Sequence, residues 1–266
     1  MRSSSQRPAE TVTGYLVAAI RHHLMTGAVF HEVAEAAFCV YLIHLRAPDR
    51  LAPDYFMLYP ALLAIVVAGT VAYRRTMMCR QDRLGFAVGD VENRHGFLMG
   101  EMLACLAISM TLVIMTTVVG LIMVPLATPG VAHALGGLAL IALMSATAIS
   151  VTYLFSWLAM GSDLPSVLAI VVLVFGVSRS SLAQMIMESV GFPPFVLVLN
   201  IATPPLEELI KCAMSGLFAN YWLLMLQNSL FVILTTYWAS WLFVRRTIPR
   251  SNPSARPARG KVRQHA

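Results

Sequence analysis

The run FLMGEMLACLAISMTLVIMTTVVGLIMV occupies residues 97–124 and carries one charged side chain, that of Glu101. About 20 consecutive apolar residues in a helix suffice to cross the hydrocarbon core of a bilayer. The run exceeds that length and stops at Pro125, which a helix interior does not tolerate. It therefore predicts a membrane-spanning helix, and the number of similar runs decides the architecture.

The composition of the whole chain agrees with this prediction. Hydrophobic residues make up 58% of it and charged residues only 12%, whereas about a quarter of a soluble domain is charged. A soluble protein needs a charged, solvated surface, so an ordinary soluble enzyme is excluded. The four cysteines are scattered and lack the close spacing of a disulfide framework or a zinc site. We therefore expect no metal and no cofactor.

Five further apolar runs complete an all-α integral membrane protein with six transmembrane helices. The first is imperfect because it contains His31, Glu32 and Glu35. The predicted spans one to six cover residues 27–45, 55–73, 97–124, 133–160, 165–181 and 221–244.

Residues 183–220, before the last span, are too apolar for a loop and too interrupted for a span. Proline pairs at 193–194 and 204–205 bracket an apolar run, and Glu207, Glu208 and Lys211 follow on a predicted short helix. Irregular backbone at membrane depth needs protein or a water-filled cavity around it. The segment is therefore predicted to form short re-entrant helices.

Basic residues set the expected orientation. With a cytoplasmic N-terminus, six spans place segments 1–26, 74–96, 160–164 and 245–266 on the cytoplasmic side, with fifteen of the 19 Lys and Arg residues. Four remain for the other side, and this asymmetry follows the positive-inside rule. Both termini are predicted to be cytoplasmic. Because the basic residues flank apolar runs and do not cover a domain surface, no nucleic-acid partner is expected.

Three regions follow from this topology. Residues 1–26 are a cytoplasmic N-terminus whose segment 11–25 is predicted to form an amphipathic helix at the interface. Residues 27–248 form the six-helix domain. Residues 249–266 are rich in Pro, Ser and Arg and are predicted to be a disordered basic tail that contacts anionic lipid head groups.

Ionisable residues near the membrane allow two interpretations. Four of them could supply a metal or proton site, because carboxylate-bridged metal bundles use Glu-x-x-His pairs. The same groups could instead pair with Arg21, with Arg94 or with one another at the cytoplasmic boundary, and the sequence favours this second interpretation. The four residues are His31, Glu35, Glu92 and His95.

Four other residues are candidates for a gate or a polar path. Glu101 lies one turn inside span three, where it could line such a path or form hydrogen bonds near the helix N-terminus, where a carboxylate is favoured. Glu207 and Glu208 precede Lys211, and these three could gate a substrate at the outer leaflet. The i,i+4 spacing of Glu207 and Lys211 is equally typical of a solvated face.

The chain has no G-x-x-x-x-G-K-[ST] motif, so it lacks this device for holding a nucleotide phosphate. It contains two lysines, Lys211 and Lys261, and neither follows a glycine-rich loop of that type. Transport driven by ATP would therefore need hydrolysis on another polypeptide.

The layout resembles the permease subunits of type-2 ATP-binding-cassette (ABC) transporters. Residues 75–95, RTMMCRQDRLGFAVGDVENRH, are similar to the family's cytoplasmic coupling loop between spans two and three. Gly100-Glu101 stands where the family has a glycine and a lysine opening span three. Residues 237–248, YWASWLFVRRTI, are similar to the family's closing aromatic-Arg-Arg-Asp pattern, with Thr247 at the acidic position. The interfacial elbow helix and the re-entrant helices also match.

The resemblance implies a transport subunit, not an enzyme, in a bacterial cytoplasmic (inner) membrane. It implies export of a substrate with ATP hydrolysed by separate ATP-binding subunits, and pairing with a second copy or a related permease. The coupling loop 74–96 would dock into the ATPase. The docking residues expected from it are Arg80, Asp82, Arg83, Asp90, Glu92 and Arg94.

Two alternatives from other classes remain at this stage. One is a membrane-embedded, metal-dependent enzyme that uses the His and Glu residues. The other is an accessory subunit of a larger membrane complex without its own transport path.

Overall fold

The computed structural model describes residues 11–27, 29–46, 56–80, 91–123, 130–162, 165–189 and 193–246. Within these residues all regular structure is helical. The predicted tail 249–266 and residues 1–10 lie outside the described residues. The α-helices, in chain order, are α1 Val12–Met25, α2 Val29–Arg46, α3 Leu58–Arg80, α4 Arg94–Met123, α5 Val131–Leu154, α6 Trp157–Met160, α7 Ser166–Val177, α8 Arg179–Ser189, α9 Pro193–Ala202, α10 Leu206–Ser215 and α11 Trp222–Arg245, with a 3-10 turn Phe218–Tyr221 before α11.

In the part of the chain that the structure describes, four helical segments are long and apolar enough to cross a membrane. They are Leu58–Arg80, Arg94–Met123, Ala132–Met160 and Phe218–Arg245. They correspond to predicted spans two, three, four and six. This all-helical architecture is compatible with a multi-pass membrane protein.

The predicted fifth span is not one straight helix. α7 contains 12 residues, which is about 18 Å of helix and too short for a hydrocarbon core of about 30 Å. It bends by 80° into α8. Ser178, between the two helices, donates its backbone N–H at 3.0 Å and its hydroxyl at 2.7 Å to the Val174 carbonyl at the end of α7. If the bent pair counts as one span, the described residues contain five candidate spans.

Predicted span one forms a helix, α2, but it differs from the four candidate spans in composition. Three charged residues, Glu32, Glu35 and Arg46, lie within its 18 residues. Each charged side chain at mid-bilayer costs about 2.5–3.5 kcal/mol on insertion scales. The sequence of α2 therefore needs partners for its carboxylates if the helix is to lie in lipid.

The centre of the bundle is formed by α3 and α5. In each of these segments 56% of the most apolar stretch is buried, against 11% in the last segment, which includes α11. Close approach relies on glycine: a Cβ on Gly137 of α5 would lie 2.2 Å from Cε of Met57. A Cβ on Gly136 would lie 2.3 Å from the Phe218 ring. α11 is thus an edge helix that presents most of its apolar surface outward.

The connection between α3 and α4 is shorter than the loop predicted at 74–96. α3 continues through Arg80 and α4 begins at Arg94, so both edges of the predicted loop are helical. The physical reason is that Arg75 is buried with partners inside the bundle. The central part of the loop, 81–90, lies outside the described residues.

The end of α3 and the start of α4 share one end of the bundle with the end of α11. Arg94 donates its Nη1 to the carbonyls of Val244 at 3.3 Å and Arg246 at 2.5 Å. Arg246 in turn donates to the carbonyl of Trp157. We call this end the basic end, defined by Arg75, Arg80, Arg94, Arg245 and Arg246.

The predicted short helices before the last span are present as α9 and α10. α9 begins at the first proline pair, whose missing N–H groups are tolerated in a first helical turn. α10 follows the second pair and ends at Gly216, which has a φ of +67°. Glu207, Glu208 and Lys211 lie on this short helix, as predicted.

Candidate functional site

A buried ion pair joins α3 to α4 at the basic end. The guanidinium of Arg75 donates Nε to Oε2 of Glu101 at 2.8 Å and Nη2 to Oε1 at 2.6 Å. The two side chains are 1% and 3% exposed. A parallel two-bond contact of this kind fixes geometry as well as charge, because both groups are planar. The pair therefore sets the spacing of the two helices where their connection begins.

Helix α1 covers this ion pair. Nδ1 of His22 lies 3.2 Å from Nη1 of Arg75, and the ring of Tyr15 packs edge-on against Phe97 with centroids 5.5 Å apart. α1 approaches α4 closely at Gly100, where a Cβ would lie 2.6 Å from Cβ of Tyr15. The predicted N-terminal helix thus packs along the first half of α4, and its contact shields the ion pair from solvent.

A second cluster links α2 to α3 beside the first. Arg74 donates Nη1 to Oε1 of Glu32 at 2.7 Å, and its Nη2 lies 3.9 Å from Oε1 of Glu35. Thr70 donates its hydroxyl to Oε2 of Glu35 at 3.2 Å. The carboxylates of α2 are therefore paired within the bundle, as the sequence favoured. Their cationic partner is Arg74, whereas the sequence suggests Arg21, Arg94 or pairing among the groups themselves.

The four residues of the metal hypothesis occupy different surroundings. Glu35 contacts α3, while Nδ1 of His95 lies 2.5 Å from the Ser240 hydroxyl on α11. His31 and Glu92 are exposed. No group of three or more His, Cys, Asp or Glu side chains in the described part of the chain is placed to hold a metal ion.

The expected docking residues fall into three groups. Asp82, Arg83 and Asp90 lie outside the described residues. Arg80 and Glu92 are exposed at the two ends of the connection. Arg94 is half-buried and bonded to the end of α11, so it holds helices together at the base of the connection.

The candidate gate residues near α10 tie this helix to α8. Glu207 accepts a hydrogen bond at Oε2 from the backbone N–H of Ser180 at 2.6 Å, and its Oε1 accepts the Ser180 hydroxyl. Lys211 donates Nζ to the same Oε1 at 2.8 Å. Burial raises the pKa of Glu207, but the hydrogen bonds from Lys211 and Ser180 outweigh that effect, so its pKa lies below the usual value.

The neighbouring carboxylate extends the contact between α8 and the short helices. Oε1 of Glu208 lies 3.8 Å from Nε of Arg179. The same Nε donates to the side-chain oxygen of Asn200 on α9 at 2.9 Å. Glu207 and Lys211 thus meet at Ser180, Glu208 faces Arg179 instead, and Glu101 lies separately in the buried pair at the basic end.

Sequence reasoning missed four residues of the basic-end clusters: His22, His23, Arg74 and Arg75. The signal available was that Glu101 and the α2 carboxylates lie in apolar surroundings and therefore need cations. Arg74 and Arg75 were assigned to a solvated loop, because a basic pair after an apolar run is typical of a membrane boundary. Comparison of this chain with protein-family models, curated proteins and solved structures finds no match.

Proposed function

We propose that this chain is the membrane-spanning permease subunit of an ABC transporter in a bacterial cytoplasmic membrane. In this proposal α1 is the elbow helix, α2 is the first of six spans, and α7 with α8 is a bent fifth span. The basic end faces the cytoplasm. The permease would export a substrate with ATP hydrolysed by separate subunits, and it would pair with a second copy or a related permease.

The observation that carries the proposal is the Arg75–Glu101 pair at the base of the 81–93 connection. A loop that receives a push from an ATPase can move spans only if it is joined rigidly to them. The two-bond contact holds the end of α3 against the start of α4, and Arg94 holds that start against the end of α11. A force on the connection would therefore act on three candidate spans together.

The charges of the connection suit a docking role. Its sequence carries Asp82, Arg83, Asp90 and Glu92 within a short stretch, and Arg80 and Glu92 at its ends are exposed. Charged pairs across an interface fix register and partner choice more than affinity. We assign ATPase docking to Arg80, Asp82, Arg83, Asp90 and Glu92, and a holding role to Arg94.

The partner permease would cover an apolar face. α11 exposes large apolar side chains along its length, including Leu223, Leu230 and Ile233. In a bilayer this face contacts either lipid or a second permease chain. Two buried hydrogen bonds to α5 fix which face of α11 points inward. Asn228 donates to Thr147 at 2.8 Å, and Thr235 donates to Ser150 at 2.9 Å.

The test is purification of the tagged chain in mild detergent with mass spectrometry and an ATPase assay on the eluate. We expect a copurifying subunit with Walker motifs and ATP hydrolysis. Charge reversal by Arg83→Glu together with Glu92→Lys is expected to remove this subunit while the permease still inserts and stays monodisperse. The substitutions avoid Arg75 and Arg94, because loss of either would alter helix packing itself.

The matched control is Glu188→Lys, a charge reversal at an exposed position of α8 away from the basic end. It is expected to leave the ATPase subunit bound. An eluate in which no nucleotide-binding chain is present would contradict the proposal, as would an ATPase that stays bound to the Arg83→Glu, Glu92→Lys variant.

A further inference from the structure

A cleft of about 280 Å³ opens between α1, α2 and α4. Its walls are aliphatic, with Ile20 from α1, Val29 from α2 and Ile108 from α4. Three polar side chains also line it, those of His23, Glu32 and Thr111. The Thr111 hydroxyl donates to the Ala107 carbonyl of its own helix at 2.8 Å. Elsewhere in the described residues Nη1 of Arg179 and Oε2 of Glu208 are also buried without a hydrogen-bond partner. Here, however, the unpartnered groups line an apolar cleft that could hold an occupant.

The side chains of His23 and Glu32 are completely buried, and their hydrogen-bonding groups are incompletely satisfied. Neither ring nitrogen of His23 has a hydrogen-bond partner, and the same holds for Oε2 of Glu32. Nε2 of His23 and Oε2 of Glu32 are 3.7 Å apart, which is beyond hydrogen-bond distance. A buried acceptor without a donor costs about 1–3 kcal/mol, and more when it is charged. A ligand that donates hydrogen bonds here would recover that free energy.

The net charge of the cluster around Glu32 determines whether the cleft favours a cationic or an anionic ligand. Its charged side chains are two carboxylates, Glu32 and Glu35, and one guanidinium, Arg74, which contacts both. Arg74 occupies Oε1 of Glu32 and leaves Oε2 without a donor. With the His23 ring neutral, the cluster has two negative charges and one positive charge, so it favours a cation over an anion.

The mouth of the cleft lies on an apolar outer surface. Leu24 and Ala107 at its rim are exposed. Leu103 and Ile114, on the same helix as Ala107, are exposed as well. In a bilayer such a surface faces acyl chains, so a ligand enters from lipid and brings an apolar body with it.

We propose that this cleft binds an amphipathic cation, a lipophilic primary amine in chemical terms. Its ammonium donates to Oε2 of Glu32 and to a ring nitrogen of His23. Its alkyl body lies against Ile20, Val29 and Ile108. The site is separate from the ATPase-docking connection, so the proposal does not depend on the transporter function.

The probe is octylamine that carries a terminal diazirine, used on the full chain in phosphatidylcholine nanodiscs. After photolysis, mass spectrometry locates the labelled residues. We expect labels on the segments of α1, α2 and α4 that line the cleft. Unmodified octylamine should displace them, whereas octanoate and octanol of the same chain length should compete at least about tenfold more weakly, because one ammonium–carboxylate hydrogen bond is worth roughly that factor.

Two variants and two controls complete the test. Glu32→Gln and Ala107→Phe should each lower site labelling about tenfold or more, the first by removing charge and the second by filling the cleft. Glu188→Gln and Ala139→Phe, at exposed positions of α8 and α5 that do not line the cleft, should keep it. The proposal would be overturned if octanoate competed as well as octylamine, or if Ala107→Phe left the labelling unchanged. Both results can be obtained even if Glu32→Gln fails to fold.

Discussion

Replacement of either member of the Arg75–Glu101 pair is expected to destabilise the bundle far more than replacement of both. Arg75→Met leaves the Glu101 carboxylate buried without its cation, and Glu101→Leu leaves the guanidinium with His22 as a neighbour at 3.2 Å. The double variant removes both charges and keeps apolar volume. The comparison therefore separates the cost of an orphaned charge from the net contribution of the pair.

The magnitude follows from the geometry. Charge centres roughly 4 Å apart at an effective dielectric constant near 20 attract by about 4 kcal/mol. Breaking a buried pair by removing one partner costs about 3–5 kcal/mol, whereas an apolar replacement of both is often neutral. At about 2–4 °C per kcal/mol for a chain of this size, each single variant should melt about 10 °C lower. The double variant should melt within a few degrees of the parent chain.

Buried cysteine thiols can report the unfolding of the bundle in this measurement. All four cysteines are free and buried, and Cys79 and Cys105 lie beside the ion pair at 1% and 0% exposure. A thiol-reactive fluorogenic dye will report their exposure during heating. The reasoning is refuted if each single variant melts within 2 °C of the parent, or if the double variant is as unstable as the sum of the two singles.

Two further predictions concern other contacts. Gly100→Ala places a Cβ 2.9 Å from the carbonyl oxygen of Val12, so it should lower the free energy of unfolding by about 1–2 kcal/mol in the same dye assay. Gly130→Ala is the control and should not lower it, because no atom lies within 4 Å of the new Cβ. Glu207 has a lowered pKa in the fold, so its contribution is complete above its unfolded pKa of about 4.3 and is lost as pH falls through the lower folded value. Proteolysis between α8 and α10 should therefore increase in acid, and Glu207→Gln should show that increase already at neutral pH.

Helix positions were predictable wherever one local signal dominated. Predicted span three, residues 97–124, differs from α4 by three residues at its start and one at its end. Predicted span six, 221–244, differs from α11 by one residue at each end. Apolar length and the flanking charges or proline determine such segments without reference to the rest of the fold. The proline pairs determine the starts of α9 and α10 in the same local way.

The bend in predicted span five and the ion pairs were not predictable on the same basis. The apolar run 165–181 gives no sign that Ser178 ends a helix, because serine is also found inside membrane helices. Arg75 and Glu101 are 26 residues apart, so their contact depends on how α3 and α4 pack. A hydropathy scale gives the free-energy cost of placing each charged residue in the membrane, but it does not identify the residue with which that charge pairs.

The two clusters at the basic end are joined through adjacent residues on two helices. On α1, His22 contacts Arg75 while His23 lines the cleft. On α3, Arg74 bonds to Glu32 while Arg75 bonds to Glu101. Successive residues of a helix point about 100° apart. The two adjacent side chains of each helix therefore reach two different clusters.

This arrangement makes α1 more than a surface anchor. If α1 moves away from α4, His22 leaves the ion pair and His23 leaves the cleft in the same displacement. A ligand that holds His23 and Glu32 together therefore also holds α1 over the Arg75–Glu101 pair. In the proposed transporter this would couple the occupancy of a lipid-facing cleft to the stiffness of the helix ends on which an ATPase acts.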